Sequence, residues 1–354
     1  MVMSVKSNDE LKKAKEESWD LLNWLFLRTM ELAETVVPLY DTIDNFFFQD
    51  VDYSMVRSVS PQWMLDTGRT PESSIDKITY EQFRLAYRDP ISNRMIHLSD
   101  VHGLLVALQD RIVAVRSYLS VIYKYLPAYC LYDDSEYETC SKSMDDTADI
   151  VHTTINNVFV TLCSAFDLFT KVVYECSHYD MGGFSDYKRM KSRKNGILFK
   201  KGNFGFEELK EEGLLFSEPV CVRTVCSFRD EFIHNGSWDF RCSIYYPVVD
   251  GVHVEPFVVM PDVDKSGFLV SSGSRNKFYS KGDKINVLLP GLVKDVLEVL
   301  LKTILKFKEV LENNTHPISQ EERENNSINY MKLALKSSCK MLDIFKKKKL
   351  DCTT

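Results

Sequence analysis

A long stretch of helical periodicity at residues 145–176 is the feature that most constrains the fold. Its apolar residues would occupy most of the circumference of a helix: Ile150, Val151, Ile155, Val158, Phe159, Leu162, Ala165, Phe166, Phe169 and Val173. A helix with so little polar surface is usually central and buried. Because no run of about 18 uncharged apolar residues occurs, we expect a globular core around this helix and no membrane span.

Apolar residues recur at helical spacing in further segments, which predicts more helices. These segments lie at about residues 10–38, 99–127, 217–236, 290–311 and 318–349. Residues 44–76 contain scattered Pro, Gly and Ser and indicate irregular structure. Apolar and polar residues alternate at 78–87 well enough to predict a short strand.

Two β-rich runs at 241–249 and 252–260 are separated by Asp250-Gly251, which predicts a β-hairpin. Residues 268–272 and 277–287 could add further strands. The expected fold is therefore mainly α, with an inserted β-hairpin or small antiparallel sheet.

The predicted organisation has three parts. An N-terminal helix and an irregular or strand segment pack on a helical core, and a C-terminal helix with a lysine-rich tail follows it. The respective ranges are 1–96, 97–315 and 316–354, and the core carries a basic insert at 178–215 and a β-insert at 240–287.

Composition narrows the class of protein. A net charge of −7 and a pI near 5.6 argue against a protein that coats nucleic acid nonspecifically. The nine cysteines form no Cys-x-x-Cys pair, and several lie in apolar helical runs, which indicates a reducing, cytoplasmic environment. The N-terminal residues have no apolar segment after a basic start, so we expect no signal peptide.

The usual short catalytic motifs are missing from the sequence. Phosphate-binding loops, zincin helices and serine-hydrolase elbows lack their signatures. The seven histidines show no paired spacing, so we expect neither a metal nor a cofactor.

Residues 217–236 have the clearest predicted helix boundaries and also contain candidate catalytic residues. Ser217, followed by Glu and Pro, predicts a helix start, and Asn-Gly predicts the end just after His234. Arg229, Asp230 and His234 then form the pattern Arg-Asp-x-x-x-His in the last turns. Histidine suits proton transfer near neutral pH, and arginine binds phosphate and stabilises developing charge.

This pattern resembles the Rx4–6H motif of the HEPN superfamily, and the helical layout extends the likeness to about residues 97–312. Many members of that superfamily are metal-independent ribonucleases of phage-defence or toxin systems, and others are noncatalytic binding modules. The resemblance implies catalytic roles for Arg229, Asp230 and His234. Asp at 230 is less typical than Asn or His, and neither insert belongs to a minimal HEPN bundle.

Residues five apart on a helix differ by about 140° around its axis, so Arg229 and His234 need not converge within one chain. HEPN proteins dimerise to join two motifs in one cleft, and the resemblance implies a homodimer here. Antiparallel pairing of the helices at 145–176 and 217–236 would bring Asn156 or Asn157 near His234 as a supporting polar group. Simple solvent exposure of the two asparagines is the alternative.

The basic insert offers candidate contacts for an RNA backbone. Its candidate residues are Lys188, Arg189, Lys191, Arg193, Lys194, Lys200 and Lys201. The lysines at 346–349 are a further candidate, although a charge run is usually only a solvated face.

Two functions follow as hypotheses. The first is a metal-independent endoribonuclease that cleaves RNA, with tRNA as one candidate, through attack by the 2′-hydroxyl, in a system with a neutralising or activating protein partner. The second is a noncatalytic helical scaffold that holds a protein or a nucleotide. In that case Arg229 is a solvated surface charge, and His234 interacts with the helix dipole.

Overall fold

The computed structural model describes residues 8–69, 71, 75–127, 140–186, 190–194, 198–202, 204–236, 238–239, 241–249, 252–253, 255–275 and 277–351. Helices account for 70% of the structure and strands for 4%, which confirms a mainly α fold. The helices are α1 (Asn8–Thr35), α2 (Val37–Phe47), α3 (Tyr53–Val59), α4 (Trp63–Asp66), α5 (Lys77–Ala86), α6 (Pro90–Tyr125), α7 (Asp146–Ser177), α8 (Leu198–Lys201), α9 (Val220–Asn235), α10 (Ile285–Asn313) and α11 (Gln320–Asp351).

The described residues also form three strands: β1 (Cys140–Ser143), β2 (Ile244–Val249) and β3 (Val252–His253). β2 pairs antiparallel with β1 and with β3, and Val249 lies opposite Val252. The predicted turn residues Asp250 and Gly251 lie outside the described residues, so the hairpin turn stays a prediction.

The chain forms two compact units that divide it differently from the three predicted ranges. The first unit comprises Met1–Thr35, Leu108–Phe166 and Leu209–Leu305, and it contains α9 and the three strands. Its core includes Phe159 stacked on Phe228, with ring centroids 4.7 Å apart. Both rings are fully buried.

The second unit comprises Val36–Ala107, Asp167–Glu208 and Lys306–Thr354. In it, α11 packs on α3 and α5. The buried Tyr330 hydroxyl of α11 lies 3.0 Å from Ser60 Oγ, and the Tyr87 hydroxyl lies 2.6 Å from Ser338 Oγ. These hydroxyl pairs satisfy polar groups that burial would otherwise leave without partners.

Several predicted elements were wrong. The segment predicted as a strand at 78–87 forms helix α5. Asp76 caps this helix by accepting the Thr79 N–H. Thr79 and Phe83, four residues apart, share its buried face. The segment predicted to be irregular contains α3 and α4. Asp52 caps α3 by accepting the Met55 N–H.

Other boundaries shifted. α6 begins at Pro90, nine residues before the predicted start, because proline is favoured in the first turn and Asp89 accepts the Ser92 N–H. Residues 268–272 and 277–287 supply only isolated bridges, and α10 already starts at Ile285, so Pro290 lies inside it.

Among the described helices, α7 is long and apolar enough to cross a membrane by length and composition alone. The sequence analysis expected no membrane span here, because Asp167 interrupts the run of uncharged residues in α7. In the structure, 61% of its most apolar window is buried inside the protein. The core helix of a globular protein has the same character.

Candidate functional site

Helix α9 positions the Arg-Asp-x-x-x-His motif. Its buried face includes the apolar residues Val222, Val225 and Phe228, at a spacing of three residues. Pro219 precedes the first residue, and Gly236 ends the helix with φ 83°. The predicted start at Ser217 was wrong, because Ser217 closes a short 3-10 turn and its hydroxyl donates to the Leu214 carbonyl.

Arg229 and Asp230 form an ion pair, with Nη1 2.9 Å from Oδ1. Their side chains are 33% and 35% exposed, so both are accessible to a ligand. His234 is exposed, and the described part of the chain contains no hydrogen bond or ion pair to its ring. The motif therefore lies at the protein surface.

Asp230 lies between Arg229 and His234 when the helix is viewed along its axis. Asp230 and His234 are four residues apart and share one side of the helix, whereas Arg229 and His234 differ by about 140°. The Arg229 guanidinium pairs with Asp230, whose position lies about 100° around the axis from Arg229 in the direction of His234.

A buried carboxylate lies directly behind the motif. Glu231 is 6% exposed, and its carboxylate pairs with Lys277 Nζ at 3.0 Å. The same carboxylate accepts a 2.8 Å hydrogen bond from Asn235 Nδ2. Lys277 lies in the β-insert, between the bridge residues Arg275 and Lys284, so this pair ties the last turn of α9 to a distant segment of the first unit. Glu231 lies three residues after Phe228, and a carboxylate on an apolar face was the signal that could have revealed the pair.

The first half of α7 runs antiparallel to α9. Phe159 contacts both Phe228 and Phe232, and Cys163 Sγ lies 3.7 Å from Cys226 Sγ. Residue numbers therefore increase along α7 in the direction in which they decrease along α9. This is the antiparallel pairing considered in the sequence analysis.

The two candidate asparagines lie one turn before Phe159 on α7, both of them partly exposed. The Asn156 Oδ1 atom is buried and has no hydrogen-bond partner among the described residues. No hydrogen bond joins Asn156 or Asn157 to His234 in the described part of the chain. Their supporting role stays a prediction.

His152 fixes the segment after α9, and sequence reasoning missed it. Its ring is 1% exposed and stacks on Trp238, with centroids 5.0 Å apart. Its Nε2 lies 3.1 Å from the backbone N of Ser243 and accepts that N–H. Burial lowers the pKa of His152, which favours the neutral ring. The Trp238 indole in turn donates to the Val259 carbonyl at 3.1 Å.

The part of the basic insert that carries its candidate lysines and arginines, residues 178–208, lies in the second unit. Lys188 and Arg189 lie outside the described residues, and Arg193 and Lys194 belong to a 3-10 helix at Lys191–Lys194. Three of the predicted RNA-binding side chains are exposed: Lys191, Lys200 and Lys201.

A buried carboxylate anchors that 3-10 helix. Glu175 is 5% exposed and accepts the Ser192 N–H at 2.7 Å. Its other oxygen lies 3.5 Å from Nε2 of the buried His97. The 3-10 helix that carries Lys191 thus rests on buried, hydrogen-bonded groups, which sequence reasoning did not identify.

The second unit also contains an open cavity of about 310 Å³, lined by Thr42, Asn45, Gln49, Glu312, Thr315, Pro317 and Arg323. Arg323 Nη2 donates to the Val51 carbonyl at 3.0 Å. Within the described residues, no group of three or more His, Cys, Asp or Glu side chains could hold a metal ion.

Comparison of the chain with protein-family models, with curated proteins and with solved structures finds no match.

Proposed function

We propose that the protein is a metal-independent endoribonuclease of HEPN type and that its reactive groups are Arg229, Asp230 and His234. The observation that carries the proposal is the ion pair by which Asp230 holds the Arg229 guanidinium on α9, one turn before the exposed His234. A positioned cation can stabilise charge on the phosphate, and an accessible imidazole can transfer a proton, during phosphodiester cleavage by the 2′-hydroxyl.

Each residue has a distinct role in the proposed reaction. A histidine takes the proton from the 2′-hydroxyl as that oxygen attacks the adjacent phosphorus. The bond from phosphorus to the 5′-oxygen breaks, and the leaving oxygen receives a proton from the protonated His234 of a second copy of the chain. The products are a 2′,3′-cyclic phosphate and a 5′-hydroxyl. Arg229 binds the phosphate oxygens, where negative charge increases in the transition state.

One copy of the chain supplies one motif histidine, whereas the reaction needs both a base and an acid. We therefore propose a homodimer in which two α9 motifs face one RNA strand. Asp230 serves as the positioning residue, because its carboxylate holds the Arg229 guanidinium through a 2.9 Å ion pair.

The exposed lysines of the basic insert supply the proposed RNA contacts. With a net charge of −7, the protein needs such a local basic patch to approach a polyanion. Replacing Lys191, Lys200 and Lys201 with alanine should reduce the slope of log affinity against log salt by about 0.7 for each phosphate group that the variant no longer neutralises. An unchanged slope would remove this patch from the proposal.

The test measures cleavage of total RNA and of a tRNA pool in EDTA. His234→Ala and Arg229→Ala should abolish cleavage, and Asp230→Asn should reduce it. His316→Ala and Arg88→Ala are matched controls, because both residues are exposed and lie outside α9. These controls should cleave at the wild-type rate. Equal cleavage by His234→Ala and the wild type would refute the assignment.

One observation favours the noncatalytic alternative. Within the described residues, no group orients the His234 ring, whereas catalytic histidines are usually held by a second polar group. If wild type and both motif variants are equally inactive with candidate activating proteins present, the protein is a binding module for a protein or a nucleotide.

A further inference from the structure

Helix α11 carries an uncovered apolar stripe. Ile328, Leu335 and Leu342 are 43%, 64% and 56% exposed and follow one another at intervals of seven residues. Met331 and the exposed Cys339 lie between them on the same side of the helix. Apolar residues at intervals of three and four are the pattern of a helix that packs against another helix.

The side of α11 that packs on the second unit is a different one. Tyr330 and Ala334 are buried there, and the Tyr87 hydroxyl donates to the Ala334 carbonyl at 3.4 Å. Leu335 lies about 100° around the helix axis from Ala334. The attachment of α11 to its own unit therefore leaves the stripe at the surface.

Charge is segregated along the same helix. The first turns carry Glu321, Glu322 and Glu324, and the sequence places four lysines at positions 346–349 in the last turns. Parallel pairing of two such helices would set like charges side by side, whereas antiparallel pairing sets opposite charges together. The charge pattern thus favours one orientation of one partner, a second copy of α11.

We propose that two copies of this chain associate through their α11 helices in an antiparallel arrangement centred on Leu335. In that register Leu335 meets its own copy, Ile328 meets Leu342, and Glu324 lies opposite position 346. Every apolar position of the stripe then has an apolar partner, and both ends carry opposite charges. The proposal rests on α11 alone and does not depend on the ribonuclease assignment.

The surface area of the stripe determines the affinity expected for the association of two copies. A contact between two single helices buries less than the roughly 1,200–2,000 Å² of a standard stable interface. The association should therefore be weak and should depend on protein concentration in the micromolar range. Sedimentation velocity of the full chain over a wide concentration range measures it.

Leu335→Asp is the decisive variant, because the side chain occurs twice in the interface. It should weaken the association by roughly 30-fold or more. Leu333→Asp is the matched control, since Leu333 is 48% exposed but lies on another side of α11. It should associate like the wild type. A wild type that stays monomeric at all concentrations, or equal effects of the two variants, would overturn the proposal.

Charge reversal tests the orientation. Glu324→Lys and Lys346→Glu should each weaken the association by roughly fivefold, since each ion pair occurs twice. The double variant should recover it, because every pair is restored with its signs exchanged. Failure of the double variant to recover would exclude the antiparallel register. A dimer that depends on His234 and not on Leu335 would overturn this proposal and leave the ribonuclease proposal standing.

Discussion

Replacing Lys277 with methionine isolates the charge pair behind the α9 motif. Lys277 Nζ lies 3.0 Å from a carboxylate oxygen of Glu231, and the two side chains are 19% and 7% exposed. Methionine keeps most of the volume of lysine but removes its charge. The variant therefore leaves the Glu231 carboxylate buried without its cation, while the apolar contacts of the side chain persist.

The expected loss of stability follows from the burial of both groups. Breaking a fully buried ion pair costs about 3–5 kcal/mol, because the remaining charge stays desolvated. Here Lys277 is partly exposed, and Asn235 continues to donate to Glu231, a hydrogen bond worth about 1 kcal/mol. We therefore expect Lys277→Met to lower the free energy of unfolding by about 2 kcal/mol.

Urea unfolding followed by tryptophan fluorescence measures the effect. The double variant Glu231→Gln with Lys277→Met removes both charges and should recover most of the loss, and a double-mutant cycle isolates the coupling between the two residues. A loss below about 0.5 kcal/mol for Lys277→Met, or a double variant no more stable than the single one, would refute this reasoning.

The same variant bears on function. Glu231 holds Asn235 in the last turn of α9, next to His234. Loss of Lys277 should loosen that turn, so RNA cleavage should fall further than the small unfolded fraction accounts for. Cleavage at the wild-type rate would show that the pair stabilises the fold without positioning the motif.

Three further predictions concern stability. Phe228→Ala should lower the free energy of unfolding by about 3–5 kcal/mol in urea titrations, because the fully buried ring stacks on Phe159. Asp76→Ala should cost about 1 kcal/mol in the same assay, since it removes the cap on the Thr79 N–H. Burial lowers the pKa of His152, so the unfolded chain binds more protons as the pH falls below about 6.5. Stability should then fall by at most about 1.4 kcal/mol per pH unit until the folded-state pKa is passed, and His152→Gln should show a weaker pH dependence in urea titrations from pH 7.5 to 5.

The sequence predicted the elements whose signals are local. The apolar run of α7, the Asn-Gly stop after α9 and the periodicity of α11 each depend on residues close together in the chain. Their helices are present within a few residues of the predicted bounds. The sequence analysis considered an antiparallel pairing of α7 and α9, and the contacts of Phe159 and Cys163 with α9 show it.

The errors arose where a local helix cap was overlooked or where tertiary contacts decide the structure. Alternation at 78–87 fits a strand as well as a helix that buries Thr79 and Phe83, and only the Asp76 cap and the packing distinguish them. β1 has a polar sequence without alternation and exists because it pairs with β2. The partners of Glu231 and His152 are 46 and 91 residues away in the chain, which a local pattern cannot predict.

The chemical identity of the RNA ends tests the central claim most directly. Wild-type protein, incubated with RNA in EDTA, should give fragments with 2′,3′-cyclic phosphate and 5′-hydroxyl ends in mass spectrometry. His234→Ala and Arg229→Ala, with unchanged folding, should give neither end. Fragments with 3′-hydroxyl and 5′-phosphate ends, or cyclic phosphate ends produced equally by His234→Ala, would contradict the proposed role of the α9 motif.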